Sequence, residues 1–385
     1  VKILFVGNDA SRTGAPIVLL CFLQWLKENT DVDFEVLLRI GRGPLLPNYQ
    51  SLAPVTFYDR LDYNPTILER LLRRLGFRQM GKLDCLSEVE QVYRNRNIDL
   101  IYSNTITNGG IIGDLALLRL PVICHVHELE WGIGRYGRRN LSLVKQHAGR
   151  IVAVSDAVRR NLIDSHGFSP DRVKVIHPML PVRPPPRFEK VAAVKASLGL
   201  KESDFAVGGS GSHAWRKGRD IFTNLAREVR SLKPGGNIHF VWVGGASEDN
   251  AADKGLPDGG ETTAGPRLHF VPEVENPLDY FAAFDAFAMV SREDPYPVAN
   301  LECASLGKPI LCFAGSGGSQ EFVGEDAGFV VPYPDVRAMA DIVLLLAQDD
   351  GLRARLGKRA AEKAREHNVS VIAPRLLNII RHSAL

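Results

Sequence analysis

Pro178-Met179-Leu180-Pro181-Val182-Arg183-Pro184-Pro185-Pro186 stands near the middle of a 385-residue chain. Its prolines have no N–H to donate and favour extended backbone, so the stretch can continue neither helix nor sheet. It reads as a linker, placed at 178–188, and what flanks it decides the fold. Upstream, short apolar runs at 2–6, 33–38, 54–58, 98–102, 121–126, 150–154 and 173–177 are bounded by polar or turn residues and predict strands. Amphipathic stretches such as Ala15–Glu28 and Asp156–Ser165 predict helices between them. Downstream the alternation restarts. Strands are expected at 205–210, 238–244, 268–271, 285–290, 309–313 and 328–331, and helices at 218–232, 276–283, 298–306, 335–348 and 351–366. Such alternation builds a parallel sheet with helices on both faces. The expected fold class is α/β, two Rossmann-like doubly wound parallel-sheet domains facing across a cleft. They are placed at 1–177 and 189–368, with a C-terminal helix at 369–385 packing back on the first. Ligands are then expected at the carboxyl ends of the strands, in the crevice between domains.

Composition narrows the function. A chain of this length holds two or three domains with cores of their own. Hydrophobic residues at 45% and charged residues at 24% exclude a largely disordered chain and a multi-span membrane protein. A formal charge of +3 is too weak to argue for nucleic acid as a partner. Cys21, Cys85, Cys124, Cys303 and Cys312 form no metal or redox spacing, and buried free thiols in a reducing cytoplasm are the expectation. No apolar run approaches the roughly 20 residues that span a bilayer. The chain opens on a strand, Lys2-Ile3-Leu4-Phe5-Val6, rather than on a signal peptide, so a cytoplasmic protein is expected. Thr66–Lys82 sets leucines at helical spacing beside Arg70, Arg73, Arg74, Arg78 and Lys82. A basic amphipathic helix can rest on an anionic membrane, peripherally, or bind an acidic acceptor; a core-facing stripe with a solvated rim is the other reading.

Several strand-to-helix loops carry the chemistry. The first strand runs into Gly7-Asn8-Asp9-Ala10-Ser11-Arg12-Thr13-Gly14-Ala15-Pro16. Gly14 permits close backbone approach and Pro16 suits a first helical turn, so the N–H groups there can face an anion. The spacing is not that of a dinucleotide fingerprint, and an ordinary tight turn fits as well. The second domain opens alike, with Ser210-Gly211-Ser212-His213-Ala214-Trp215-Arg216-Lys217-Gly218. Adjacent Arg216 and Lys217 before a helix can neutralise a diphosphate, or form a solvated surface pair. Most informative is Ser291-Arg292-Glu293-Asp294-Pro295-Tyr296-Pro297-Val298-Ala299-Asn300-Leu301-Glu302. Pro297 suits the first helical position, leaving the N–H groups of Val298 and Ala299 for a phosphate. Glu302, one turn deeper, can accept from ribose hydroxyls, and Asp294 from sugar hydroxyls, although acids in a first turn also serve as simple caps. The turn Ala314–Glu321 either brings further amides to a ligand or caps the next helix.

With these residues in place the chain resembles the retaining glycosyltransferases of the GT-B fold, specifically glycosyltransferase family 4. The resemblance spans nearly the whole chain and is strongest from Val173 to Pro332. It rests on two acids with seven residues between them, Asp294 and Glu302, followed by a small-residue helix and Gly307-Lys308-Pro309. The family's first acid is usually Glu, so Asp294 departs from it and Glu293 is a candidate to share the role. The resemblance implies that Glu302 binds donor ribose, that Asp294 contacts the donor sugar, and that Lys217 of Lys217-Gly218 contacts the diphosphate. The family arginine six residues before that lysine is Gly211 here, with Arg216 as the candidate substitute. Val152–Val158 resembles a V-S-x-x-V segment, and Leu268–Pro272 the strand beside the base, with Val274 as a base contact. In Val122-Ile123-Cys124-His125-Val126-His127-Glu128, the pair His127-Glu128 matches the family's H-D, which puts His127 near the reacting sugar. Two histidines and an acid also suggest zinc, but no further ligand is evident and no metal is expected. His125 has a structural reading as its rival.

The implied reaction is retaining, metal-independent transfer of a sugar from a nucleotide-diphosphate sugar, UDP- or GDP-linked, to a saccharide, glycolipid or other acceptor, with no cofactor. Catalytic roles fall on His127, Lys217, Asp294 and Glu302. Donor binding falls on these last three with Gly14, Ala15, Arg216, Val274, Glu293, Pro297, Val298 and Ala299. A nucleotide-sugar 2-epimerase and a non-catalytic sugar-nucleotide-binding protein are the alternatives.

Overall fold

The computed structural model describes residues 1–60, 92–181, 183–245 and 267–384. The chain divides into two units, Val1–Met179 with Val369–Leu385, and Leu180–Asn368.

In the first unit the apolar runs form β1 (Lys2–Gly7), β2 (Asp33–Leu38), β3 (Val55–Phe57), β4 (Leu100–Ser103), β5 (Val122–Val126), β6 (Arg150–Ala153) and β7 (Val173–Val175). They pair in the order β3-β2-β1-β4-β5-β6-β7, parallel throughout. Between them run α1 (Gly14–Asn29), α2 (Leu46–Leu52), α3 (Gly109–Leu115), α4 (Glu130–Tyr136), α5 (Arg138–His147) and α6 (Asp156–Arg160). β4 and β5 are buried along their whole length, because helices cover both faces of a parallel sheet. The helix expected over Asp156–Ser165 changes winding part way, from α to π at Asn161–Ser165. Ser155 starts it by accepting from the Val158 N–H at 3.1 Å, so the serine of the Val152–Val158 segment serves as an N-cap.

The second unit begins after the linker with α7 (Phe188–Ser197), one residue inside the 178–188 stretch read as linker. Its strands are β8 (Phe205–Ser210), β9 (Ile238–Val243), β10 (Leu268–Val271), β11 (Ala286–Met289), β12 (Ile310–Phe313) and β13 (Gly328–Val331). Its remaining helices are α8 (Arg219–Leu232), α9 (Leu278–Ala282), α10 (Val298–Ser305), α11 (Ser319–Val323), α12 (Val336–Gln348) and α13 (Asp350–Arg365). The strands pair in parallel in the order β10-β9-β8-β11-β12-β13. The core on one face packs Phe222, Leu225 and Val229 of α8 and Met339 and Val343 of α12 against Trp242 and Phe313. After Asn368 the chain returns to the first unit as α14 (Val369–Ala384). That helix packs on α1 and β5 and buries Ile372, Ala373, Leu376 and Ile380.

Candidate functional site

In the second sheet β8 has β9 on one side and β11 on the other. The order of the strands reverses at that point, which is where a doubly wound sheet places its ligand, at the carboxyl ends of the strands. Lys217 comes from the loop after β8 and Asp294 from the loop after β11. The Lys217 Nζ donates to Asp294 Oδ2 at 2.6 Å, and Arg216 Nη1 lies 3.5 Å from the same oxygen. Asp294 is buried, with 5% of the residue exposed, so these cations are its solvation. Burial lowers the Lys217 pKa and neighbouring Arg216 lowers it further, while Asp294 opposes both. Gly211 lies against the lysine stem: a Cβ there would stand 3.0–3.1 Å from three Lys217 side-chain carbons. Gly211, where the resemblance expects an arginine, thus lies against Lys217, and the second cation at Asp294 is Arg216.

The backbone fixes this pairing. Gly218 takes φ +73°, and a Cβ on it would meet the Val290 carbonyl oxygen at 2.2 Å, so the turn lies directly on the end of β11. Only glycine combines that conformation with that approach. Asp294 is held in turn by the glycine-rich segment after β12: its N–H donates to the Ser316 carbonyl at 2.8 Å, and Gly318 N–H donates to the Asp294 carbonyl at 3.1 Å. Gly315 N–H donates to the Gln320 side chain at 3.0 Å. With Ala314 N–H donating to the Val331 carbonyl at 2.8 Å, three amides of the Ala314–Glu321 turn are spent within the unit. Glu293 turns its backbone to Arg216, and it is the Asp294 carboxylate that meets Lys217.

Pro297 is not the first helical residue. With ψ at 120° it is the N-cap, and α10 starts at Val298. The shift costs no donor. The first free amide after the proline is still Val298; Asn300 N–H turns back to the Pro297 carbonyl at 3.1 Å, and the N–H groups of Val298 and Ala299 find no acceptor among the described residues. Glu302 follows one turn later with 13% of its side chain exposed and Arg183 Nη1 at 3.7 Å. Burial pushes its pKa up to about 7, against the pull of Arg183. Val274, half-buried, sits in the loop after the edge strand β10, at the same carboxyl side of the sheet.

The first unit has its own convergence. The Asn104 side chain, just past β4, donates from Nδ2 to the Ala15 carbonyl at 2.8 Å and faces His127 Nε2 with Oδ1 at 3.2 Å. An amide oxygen only accepts, so His127 carries its proton on Nε2 and keeps a lone pair on Nδ1. Burial lowers the His127 pKa to about 3, which makes the ring neutral at physiological pH. Gly14 and Ala15 open α1 beside this asparagine. Glu128 accepts from the N–H groups of Ile106 at 3.2 Å and His127 at 3.0 Å and from the Thr105 hydroxyl, so it fastens the turn after β4. His125 is a sheet-interior residue, 1% exposed, with Nδ1 2.6 Å from the Tyr102 hydroxyl. Asn104 escaped the sequence reading because one asparagine after a strand carries no spacing signal.

Among the described residues no group of three His, Cys, Asp or Glu side chains is placed to hold a metal ion. No described helix is long and apolar enough to cross a membrane. Cys21, Cys124, Cys303 and Cys312 are buried free thiols. Thr66–Lys82 and Cys85 lie outside the described residues.

Comparison with known proteins matches two family models, Glycosyltransferase Family 4 over residues 30–182 and Glycosyl transferases group 1 over residues 205–349. A D-inositol 3-phosphate glycosyltransferase of Nocardioides is 26% identical over 257 residues, covering 62% of this chain and 55% of the relative. An α-galactosylglucosyldiacylglycerol synthase of Streptococcus pneumoniae is 31% identical over 138 residues, 32% of each chain. The chain thus spans a little over half the length of the first of these relatives. Among solved structures, Anabaena HepE in complex with UDP-glucose superposes with a TM-score of 0.77 at 20% identity, covering 99% of both chains. The sucrose-phosphate synthase of Thermosynechococcus elongatus gives 0.71 at 18% identity over 99% of this chain and 98% of that one. With two parallel-sheet α/β units, these likenesses identify the fold as GT-B.

Proposed function

We propose that this chain, which belongs to the family 4, group 1 glycosyltransferases, moves a sugar from a nucleoside-diphosphate donor to a saccharide, glycolipid or other acceptor, with retention and without a metal. The observation that carries this reading is the meeting of Lys217 and Arg216, from the loop after β8, with Asp294, from the loop that leads to the free amides of α10, at the switch point of the second sheet. Positive charge and bare N–H groups at the carboxyl edge of a doubly wound sheet suit a pyrophosphate. UDP-glucose in the HepE complex makes a UDP-sugar the first donor to try, with a GDP-sugar next.

In this reaction the bond from the anomeric carbon to the diphosphate oxygen breaks, and a bond to the acceptor oxygen forms on the same face. The acceptor proton passes to the departing phosphate, so no protein base is needed. Lys217, Arg216 and the amides of Val298 and Ala299 stabilise the charge growing on the diphosphate, the contribution that preorganised donors make best in a site with little water. Glu302 accepts from the ribose hydroxyls, Asp294 and Glu293 serve the donor sugar, Pro297 sets the helix start, and Val274 lies against the base. His127, as a neutral imidazole, hydrogen-bonds the donor sugar, and Gly14 and Ala15 offer backbone to it.

The test incubates the chain with a panel of nucleotide sugars and follows nucleoside diphosphate release with and without acceptor. A transferase releases nucleotide in proportion to acceptor added. Release without acceptor, together with a rearranged sugar, marks a 2-epimerase; binding without release marks a non-catalytic protein. Lys217→Ala and Glu302→Ala are expected to lower turnover at least about a hundredfold, the scale of losing one electrostatic group from such a site, with an unchanged circular dichroism spectrum. Wild-type turnover in both variants removes the proposed site.

A further inference from the structure

Arg292 opens the loop that carries Asp294, and its side chain reaches back to the neighbouring loop. Its guanidinium donates from Nη1 and Nη2 to the two carboxylate oxygens of Asp220, at 2.8 and 2.5 Å. Nη1 also donates to the Trp215 carbonyl at 2.8 Å, and the guanidinium carbon stands 4.7 Å from the centre of the Trp215 ring. The Arg292 backbone N–H donates to the Arg216 carbonyl at 2.7 Å. Trp215 and Arg216 belong to the turn before Lys217, and Asp220 to the first turn of α8 after it. One residue therefore grips the chain on both sides of Lys217. The Arg292 side chain is 15% exposed and that of Asp220 42%, so the guanidinium is largely covered while the carboxylate it grips stands at the rim.

We propose that Arg292 is the positioning residue for the diphosphate: it touches no ligand but fixes the 215–217 turn and the start of α8, so that Lys217 and Arg216 present their charge beside Asp294. This rests on Lys217 being the diphosphate ligand. A lysine ammonium is a point charge on a flexible stem, and its placement depends on the backbone beneath it. Here that backbone has two carbonyls held by Arg292 and a glycine hinge, Gly218, immediately after. A lysine at 292 keeps the charge but loses the fork: one ammonium cannot satisfy both oxygens of Asp220, reach the Trp215 carbonyl and stack on the indole.

Isothermal titration of the full chain with UDP, GDP and ADP selects the tightest nucleoside diphosphate, which is then titrated into Arg292→Lys, Asp220→Asn, Lys217→Ala and the double variant Arg292→Lys/Lys217→Ala. Arg292→Lys and Asp220→Asn are each expected to weaken binding by about 5- to 50-fold, inside the range of coupling between residues in one network. In the Lys217→Ala background Arg292→Lys is expected to cost less than about twofold more, because the group it positions is gone. A merely structural arginine would weaken binding equally in both backgrounds. Wild-type affinity in Arg292→Lys, or fully additive losses, overturns the proposal. Unchanged affinity in Lys217→Ala alone overturns the reading of Lys217 and the positioning role with it, a pattern distinct from the other two. If circular dichroism shows Arg292→Lys unfolded, Asp220→Asn, which keeps the stack on Trp215, carries the same comparison.

Discussion

Glu302 holds a carboxyl whose protonation changes near neutrality. Its pKa rises from 4.5 to about 7 because burial disfavours the charge, and Arg183 only partly offsets that. Between those values the folded chain keeps a proton that the unfolded chain has released, so this residue's contribution to stability is lost as pH rises through about 7. Glu302→Gln removes the penalty. Urea melts should find the variant more stable than wild type at pH 8 and the difference smaller at pH 5. Ligand binding runs the other way, since a carboxylate accepts from two ribose hydroxyls better than a carboxyl does. Nucleotide affinity of the wild type should rise from pH 6 to pH 8, and titrations of Glu302→Gln should show that rise flattened. At this scale the sequence was informative where charge met a special backbone. Lys217 and Asp294 could be singled out because one lies beside a glycine and the other beside a proline, and Glu302 because it follows Asp294 at the spacing on which the family resemblance rests. Arg292 and Asn104 could not: their partners, Asp220 and Trp215 for one and Ala15 and His127 for the other, are set by which loops the sheet order makes neighbours.

The start of α10 can be tested as an element, because a proline at its first position deletes a donor without breaking the helix. Val298 N–H has no intrahelical acceptor, so Val298→Pro sacrifices no bond of the fold. The residue before it must be extended, and Pro297 at ψ 120° already is. The expected outcome is a melting temperature close to wild type with nucleoside diphosphate binding about ten- to a hundredfold weaker, the scale of one hydrogen bond to a charged group, about 1.5–3 kcal/mol. Wild-type affinity in this variant would take the amide out of the phosphate site. The turn at Gly218 is the opposite case, a place where the fold itself is strained by substitution. Gly218→Ala puts a Cβ against the Val290 carbonyl at positive φ, and should cost about 1–3 kcal/mol in denaturant melts while also weakening nucleotide binding. Strands such as β2, β8, β10 and β13 have the boundaries that the sequence predicts, because each short strand-favouring run ends at polar or turn residues. Helix ends were harder to read. Pro297 fits either the N-cap or the first turn by residue type, and the π winding at Asn161–Ser165 leaves no mark in a periodic pattern.

The order of the chain through its two units predicts which pieces fold alone. The second unit, Leu180–Asn368, is one continuous stretch, whereas the first is closed only when α14 returns to it. Leu180 and Asn368 pair as a β-bridge, and Leu180 N–H donates to the His367 carbonyl at 2.8 Å, so the two ends of the second unit meet. Met179 and Val369, the residues flanking that bridge, are therefore within reach of a short linker. Residues 1–179 alone would bare the surface that Ile372, Leu376, Leu377 and Ile380 cover. At about 1.5–3 kcal/mol for each large buried side chain, the loss is comparable with the roughly 5–15 kcal/mol that holds a domain together. Residues 1–179 are accordingly expected to show no cooperative melt, and fusing Met179 to Val369 through two glycines should restore one. Residues 180–368 should melt cooperatively alone and, if Lys217, Asp294, Val298 and Glu302 are the nucleotide's principal contacts, should bind the same nucleoside diphosphate as the full chain within about tenfold, the worth of roughly 1.4 kcal/mol. Calorimetric melts check the first pair of outcomes and titration the second. A folded 180–368 that binds no nucleotide would move the diphosphate site off this unit, whatever the stability of either fragment.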